Sequence, residues 1–134
     1  MDLVVHGGDL LFRSRVPLHL AQAALEPLLR LADEGVPVVL VPGNHERSRL
    51  PFPLLACHEH LHVLDRPRTV PLEVRGRRVA VSGFPFEPGD VRRAFAGLVD
   101  RTGGRALPAD LRLLCIHQAV EGAQVGPAAF TFRH

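Results

Sequence analysis

The chain has 134 residues, 46% of them hydrophobic, and a formal net charge of +2. That length can bury roughly two-thirds of the surface its unfolded form would expose, so neither a metal nor a disulfide is needed merely to hold the chain together. The longest apolar runs fall well short of the ~20 residues that span a bilayer, and no membrane partner is expected.

Cys57 and Cys115 are too distant for a C-x-x-C pair, so two free thiols in a reducing compartment are the expectation. Asp2 and a strand-like run directly follow Met1. This is neither the basic start nor the apolar core of a secretion signal, and it predicts a cytoplasmic protein. Every basic residue other than His is Arg, which permits bidentate phosphate contacts without requiring them.

In chain order, Asp2 to His6 is a short buried-strand candidate, closed by Gly7-Gly8 just before Asp9. After the loop Leu10 to Pro17, residues Leu18, Leu20, Ala21, Ala24, Leu25, Leu28, Leu29, Leu31 and Ala32 recur at helical spacing until Gly35, which predicts a helix. Val36 to Val41 is a fully apolar strand, ended by Pro42 and Gly43 so that Asn44 and His45 emerge at its carboxyl end. Strand, helix and strand with short links form a parallel βαβ unit, which makes Asp9 and Asn44 neighbours on one sheet edge.

Leu50 to Cys57 is a short helix candidate interrupted by Pro51 and Pro53, and His60 to Asp65 a strand. Thr69 to Val74 and Arg77 to Gly83 flank Arg75-Gly76 as an antiparallel hairpin. Asp90 is placed to cap a helix running to about Arg101, and Leu111 to Ile116 is a further buried strand ending on His117. Ala119 to His134 carries no clear period. With no repeat and no linker, residues 1–134 are expected to form one α/β domain.

Three strands thus end in Asp9, in Asn44-His45 and in His117, on one edge if the sheet is parallel there. A carboxylate, an amide oxygen and an imidazole are hard-to-borderline ligands, suited to Mn²⁺, Fe or Zn²⁺. Arg13 and Arg15, in the loop after Asp9, are candidates for gripping a substrate phosphate. His58, His60 and His62 alternate, so a shared strand face with adventitious metal binding is the weaker alternative. Glu46 is expected to cap or to pair locally with Arg47 or Arg49.

The chain resembles the calcineurin-like metallophosphoesterase superfamily. The resemblance rests on Gly8-Asp9, Gly43-Asn44-His45-Glu46 about 35 residues on, and the strand-end His117. Within that superfamily Gly8 to Arg15, Pro42 to His45 and Leu114 to Gln118 look most like the nuclease subunit of the double-strand-break repair complex and its bacterial relatives. Where those relatives often carry a His three residues after the bridging Asp, this chain has Phe12.

The resemblance implies an α/β/β/α sandwich, here incomplete, with a parallel or mixed sheet. It also implies two divalent metal ions, with Mn²⁺ expected and Fe or Zn²⁺ as the alternatives. Asp9 would bridge the metals, Asn44 and His117 would ligate the second, and His45 would stand beside the site as charge stabiliser or proton donor. Two cations about 3.5–4 Å apart orient a phosphate for in-line attack and neutralise its charge. The family's Asp-x-His motif would precede Asp2 and its Gly-His-x-His motif would follow His134. The chain is therefore expected to be an internal piece of a longer protein and inactive or nearly so in isolation.

The function expected is a metal-dependent phosphoester hydrolase acting on phosphodiesters in nucleic acid, a DNA-repair type of nuclease. A phosphatase or small-molecule phosphodiesterase is the alternative within enzymes. A non-catalytic binding or scaffold fragment is the alternative outside them.

Overall fold

β2 (Val38–Leu40) has both faces apolar and every residue buried, and the fold is layered about it. In the computed structural model, which describes residues 1–46 and 52–119, β2 is the middle strand of a parallel sheet ordered β1-β2-β3. β1 spans Val4–His6 and β3 spans Leu61–Val63, with Val38 in register with both Val4 and Leu61. The 16-residue helix α1 (Leu18–Asp33) makes the crossover from β1 to β2. It lays Leu25, Leu28 and Ala32 on Val38, Leu40, Leu61 and Val63. Burying each such Val or Leu is worth about 1.5–3 kcal/mol over leaving it exposed.

Pro27 lies within α1, where it removes one helical hydrogen bond. It is exposed, so its ring takes nothing from the buried face. The four-residue α2 (Phe52–Leu55) precedes β3. Part of the short helix expected over Leu50 to Cys57 lies outside the described residues, as does nearly all of the aperiodic stretch from Ala119 onward.

β4 (Arg68–Val74) and β5 (Arg77–Phe84) form the hairpin about Arg75-Gly76, both at positive φ. α3 (Val91–Arg101) then leads to β6 (Leu111–Ile116), which pairs parallel to β5. The side chain of Asp90 accepts a hydrogen bond from the Arg93 amide and caps α3. Val39, Val41 and Leu64 on the inner face of the first sheet meet Val70, Val79 and Val81 of the second. The outer face of β5 receives α3, with Phe84 and Phe95 in edge contact, ring centroids 6.2 Å apart. The order α1, sheet, sheet, α3 is a partial α/β/β/α sandwich.

Two expectations are corrected. The strands ending in Asp9, Asn44 and His117 do not share one sheet: β1 and β2 belong to the first and β6 to the second. β6 takes its parallel partner from the hairpin, and His117 therefore reaches the others across the sandwich. The first strands are also shorter than their apolar runs, because Pro37 and Pro42 have no amide to donate and Val36 is instead bonded to Leu31 O at the end of α1.

Candidate metal centre

The loops leaving β1 and β2 bring Asp9 and Asn44 to one sheet edge, and β6 delivers His117 beside them from the facing sheet. The contact between loops is close enough to dictate residue type. A Cβ on Gly8 would lie 2.7 Å from His117 Nδ1 and 2.8 Å from Gly43 N. A Cβ on Gly43 would collide with Asp9 Oδ1 and approach the Asp9 amide to 2.6 Å. Asp9 itself holds φ at 54°, a left-handed conformation that Asp tolerates better than most residues.

His117 Nδ1 lies 2.7 Å from the Gly7 carbonyl oxygen. That oxygen only accepts, so Nδ1 carries a proton and donates it, and the lone pair of the neutral ring is on Nε2. Nε2 in turn lies 3.2 Å from Asn44 Oδ1 and 3.4 Å from Asp9 Oδ2. With the ring neutral, three acceptors thus converge, Nε2 within reach of both oxygens. Such a set can be completed by a proton or by a cation, and carboxylate, amide oxygen and imidazole suit a hard-to-borderline divalent ion. The residues present therefore fit a metal.

They supply part of a coordination sphere. Among the described residues no group of three His, Cys, Asp or Glu side chains is arranged to hold an ion, so the set is Asp9 and His117 with the Asn44 amide. His45 stands to one side, its Nε2 3.9 Å from Asp9 Oδ2 and its amide bonded to Asp9 Oδ1 at 3.4 Å. Among the described residues its buried Nδ1 has no hydrogen-bond partner. Nε2 is the ring nitrogen turned toward Asp9.

Arg13 and Arg15 are exposed in the loop after Asp9. The Arg13 guanidinium lies over the Phe12 ring, 4.5 Å from its centroid, and is not drawn onto the Asp9 carboxylate. Sequence reasoning missed Phe86, whose amide bonds to Pro42 O and whose ring meets His117 edge-on at 6.1 Å.

Glu46 was expected to act locally, which holds for the Gly43 amide three residues away, but its two distant partners were missed. Arg47 and Arg49 lie outside the described residues. The Glu46 carboxylate is buried and accepts from the amides of Asp9, Leu11 and Gly43. The available signal was the irregular backbone around Asp9, whose amides must find acceptors somewhere.

The alternating histidines do not line a strand, since only His62 lies within β3. His58 Nε2 is 3.2 Å from Asp33 Oδ1 at the end of α1, and His58 Nδ1 accepts from the His60 amide. Burial, then the positive charges of Arg68 and His60, hold His62 below the usual imidazole pKa. Cys57 and Cys115 are both free, and burial pushes the Cys115 thiol up.

The fold and this strand-end cluster define a metallophosphoesterase-like protein. The calcineurin-like phosphoesterase family model matches residues 1–122, and the chain belongs to that family. It is 24% identical over 122 residues to the DNA double-strand break repair protein Mre11 of Methanocaldococcus jannaschii, an alignment that covers 89% of this chain and 33% of that protein. The Mre11 proteins of Haloferax volcanii and Methanococcus maripaludis match shorter stretches. The first is 43% identical over 49 residues, 37% of this chain and 11% of that protein. The second is 38% identical over 45 residues, 34% of this chain and 12% of that protein. The chain thus spans a third or less of the length of these relatives. Among the described residues no helix is long and apolar enough to cross a membrane.

Proposed function

We propose that the full-length protein is a phosphoester hydrolase that uses two divalent metal ions, Mn²⁺ foremost, to cleave phosphodiesters in DNA. The observation that carries this reading is the convergence of Asp9 Oδ2, Asn44 Oδ1 and His117 Nε2 as three acceptors. Family membership supplies the reaction class, and the double-strand break repair relatives favour DNA as substrate. In this reading Asp9, Asn44 and His117 would hold the metal. When bound, the ions would orient the phosphate and neutralise charge developing on its oxygens.

The chain's own residues do the rest. His117 is fixed in its tautomer by the Gly7 carbonyl, so its Nε2 is presented unprotonated. His45, its Nε2 3.9 Å from Asp9 Oδ2, is poised beside the cluster to donate a proton to a charged phosphoryl oxygen or to the leaving oxygen. Arg13 and Arg15 lie close in sequence to Asp9 and serve as anchors for flanking phosphates. The free thiols of Cys57 and Cys115 support a cytoplasmic location.

The test is Mn²⁺-dependent hydrolysis by the full-length protein, with a DNA oligonucleotide and a phosphate monoester assayed side by side. Cleavage of the oligonucleotide is expected. Turnover of the monoester alone would replace the nuclease reading with a phosphatase, and turnover of neither would leave a binding or scaffold protein.

A further inference from the structure

We infer that Glu46 is a positioning residue that assembles the metal site before any metal arrives, by locking the loop after β1 to the loop after β2. The inference rests on the two-metal reading above. Glu46 is only 2% exposed and lies on the loop after β2, two residues past Asn44, facing the loop that carries Asp9. Its Oε2 accepts from the amides of Asp9 at 2.9 Å and Gly43 at 2.7 Å, and its Oε1 from the amide of Leu11 at 2.7 Å. Two of these donors lie 35 and 37 residues away in sequence. Neither loop segment is in a strand or helix, so no ladder would satisfy these amides in its place.

The geometry is that of a backbone anion nest closed on the protein's own carboxylate. The backbone turns through Gly8 at φ 98° and Asp9 at φ 54°, and the Asp9 and Leu11 amides converge on one carboxyl group. Gly43 completes it from the other loop. A Cβ on Gly43 would stand 3.0 Å from Glu46 Oε2, so a side chain there would press on the carboxylate.

The consequence for the site is direct. The amide of Asp9 is tied to Glu46, its Oδ2 faces His117, and Asn44 follows Gly43 by one residue. Fixing the Asp9 and Gly43 amides on one oxygen therefore fixes the origin of both ligand side chains. Without the clamp, an incoming cation would have to order both loops itself, and that cost would be subtracted from its affinity. Glutamine cannot substitute. Its amide offers one acceptor oxygen, and its NH₂ would face a backbone N–H, donor against donor.

The experiment uses the full-length protein and Mn²⁺ alone as probe. Free Mn²⁺ is followed by its electron paramagnetic resonance signal in wild type and in Glu46→Gln, with turnover measured at saturating Mn²⁺. The expected result is a Kd for Mn²⁺ raised by about 10–100-fold, the scale for losing a group that orients metal ligands, with most of the turnover recovered once the site is filled. A folded Glu46→Gln protein with the wild-type Kd would overturn the inference.

Should that variant fail to fold, amide hydrogen exchange in metal-free wild type decides. The amides of Asp9, Leu11 and Gly43 should be protected before Mn²⁺ is added. Free exchange until Mn²⁺ binds would mean that the metal orders the loops and Glu46 does not. A wild type that takes up no Mn²⁺ would sink the two-metal reading instead, and protection of the three amides would then decide the clamp by itself.

Discussion

Two edges of the first sheet are rich in chemistry-bearing side chains, and they differ in how those side chains are partnered. At the carboxyl edge Asp9, Asn44 and His117, brought together from distant parts of the sequence, converge with His117 Nε2 within reach of both oxygens. At the amino edge of β3, His58 and His60 are neighbours in sequence with ring centroids 5.8 Å apart, yet His58 is already engaged by Asp33 and the His60 amide. Histidines close in sequence make local contacts. An unsatisfied acceptor set, assembled from three strand ends, is what a cation can complete.

The comparison breaks if the two edges respond alike to mutation in the full-length protein. The largest effect is expected for Asp9→Ala, which should abolish both Mn²⁺ uptake and phosphodiester turnover, with Asn44→Ala lowering both together. His45→Ala should retain metal and lose about 10²–10⁴-fold in kcat, the scale for a lost proton donor. Metal content and turnover measured on the same preparations separate the two. If His45→Ala loses metal as Asn44→Ala does, the assignment of His45 as proton donor is wrong.

Smaller effects sharpen the amino-edge side. His62 is held below the ordinary 6.5 by burial and by Arg68 and His60, so just below that pH the unfolded chain takes up a proton that the folded chain refuses. The stability contributed by neutral His62 is complete above 6.5 and is lost as pH falls through its folded pKa. Urea midpoints should therefore drop more for wild type than for His62→Gln between about pH 7.5 and about pH 5.5. Equal drops would show that His62 has no part in the pH dependence. The smallest effect belongs to His58→Ala. It should leave Mn²⁺ affinity unchanged and cost no more than about 1 kcal/mol in stability, because the partly exposed Asp33 contact is weak; a lost Mn²⁺ ion would overturn the reading of the amino edge.

Much of the fold was legible because each element had its own local signal. The helical recurrence from Leu18 to Ala32, the hairpin about Arg75-Gly76 and the Asp90 cap all act over a few residues. The strand-end positions of Asp9, Asn44 and His117 followed from the same signals. Sheet membership did not, because the pairing of β6 with β5 is set by packing across the sandwich and not by anything within Leu111–Ile116. Glu46 was only half legible for a related reason: its bond to the Gly43 amide is local, but its other two partners are backbone amides on a distant loop, which no side-chain pattern announces.

The most direct test is the anomalous diffraction of Mn²⁺ in crystals of the full-length protein. The account predicts a peak about 2.0–2.2 Å from Asp9 Oδ2, Asn44 Oδ1 and His117 Nε2, at the distances usual for oxygen and imidazole ligands. A peak on His58 and His60 with none at the carboxyl edge would contradict it.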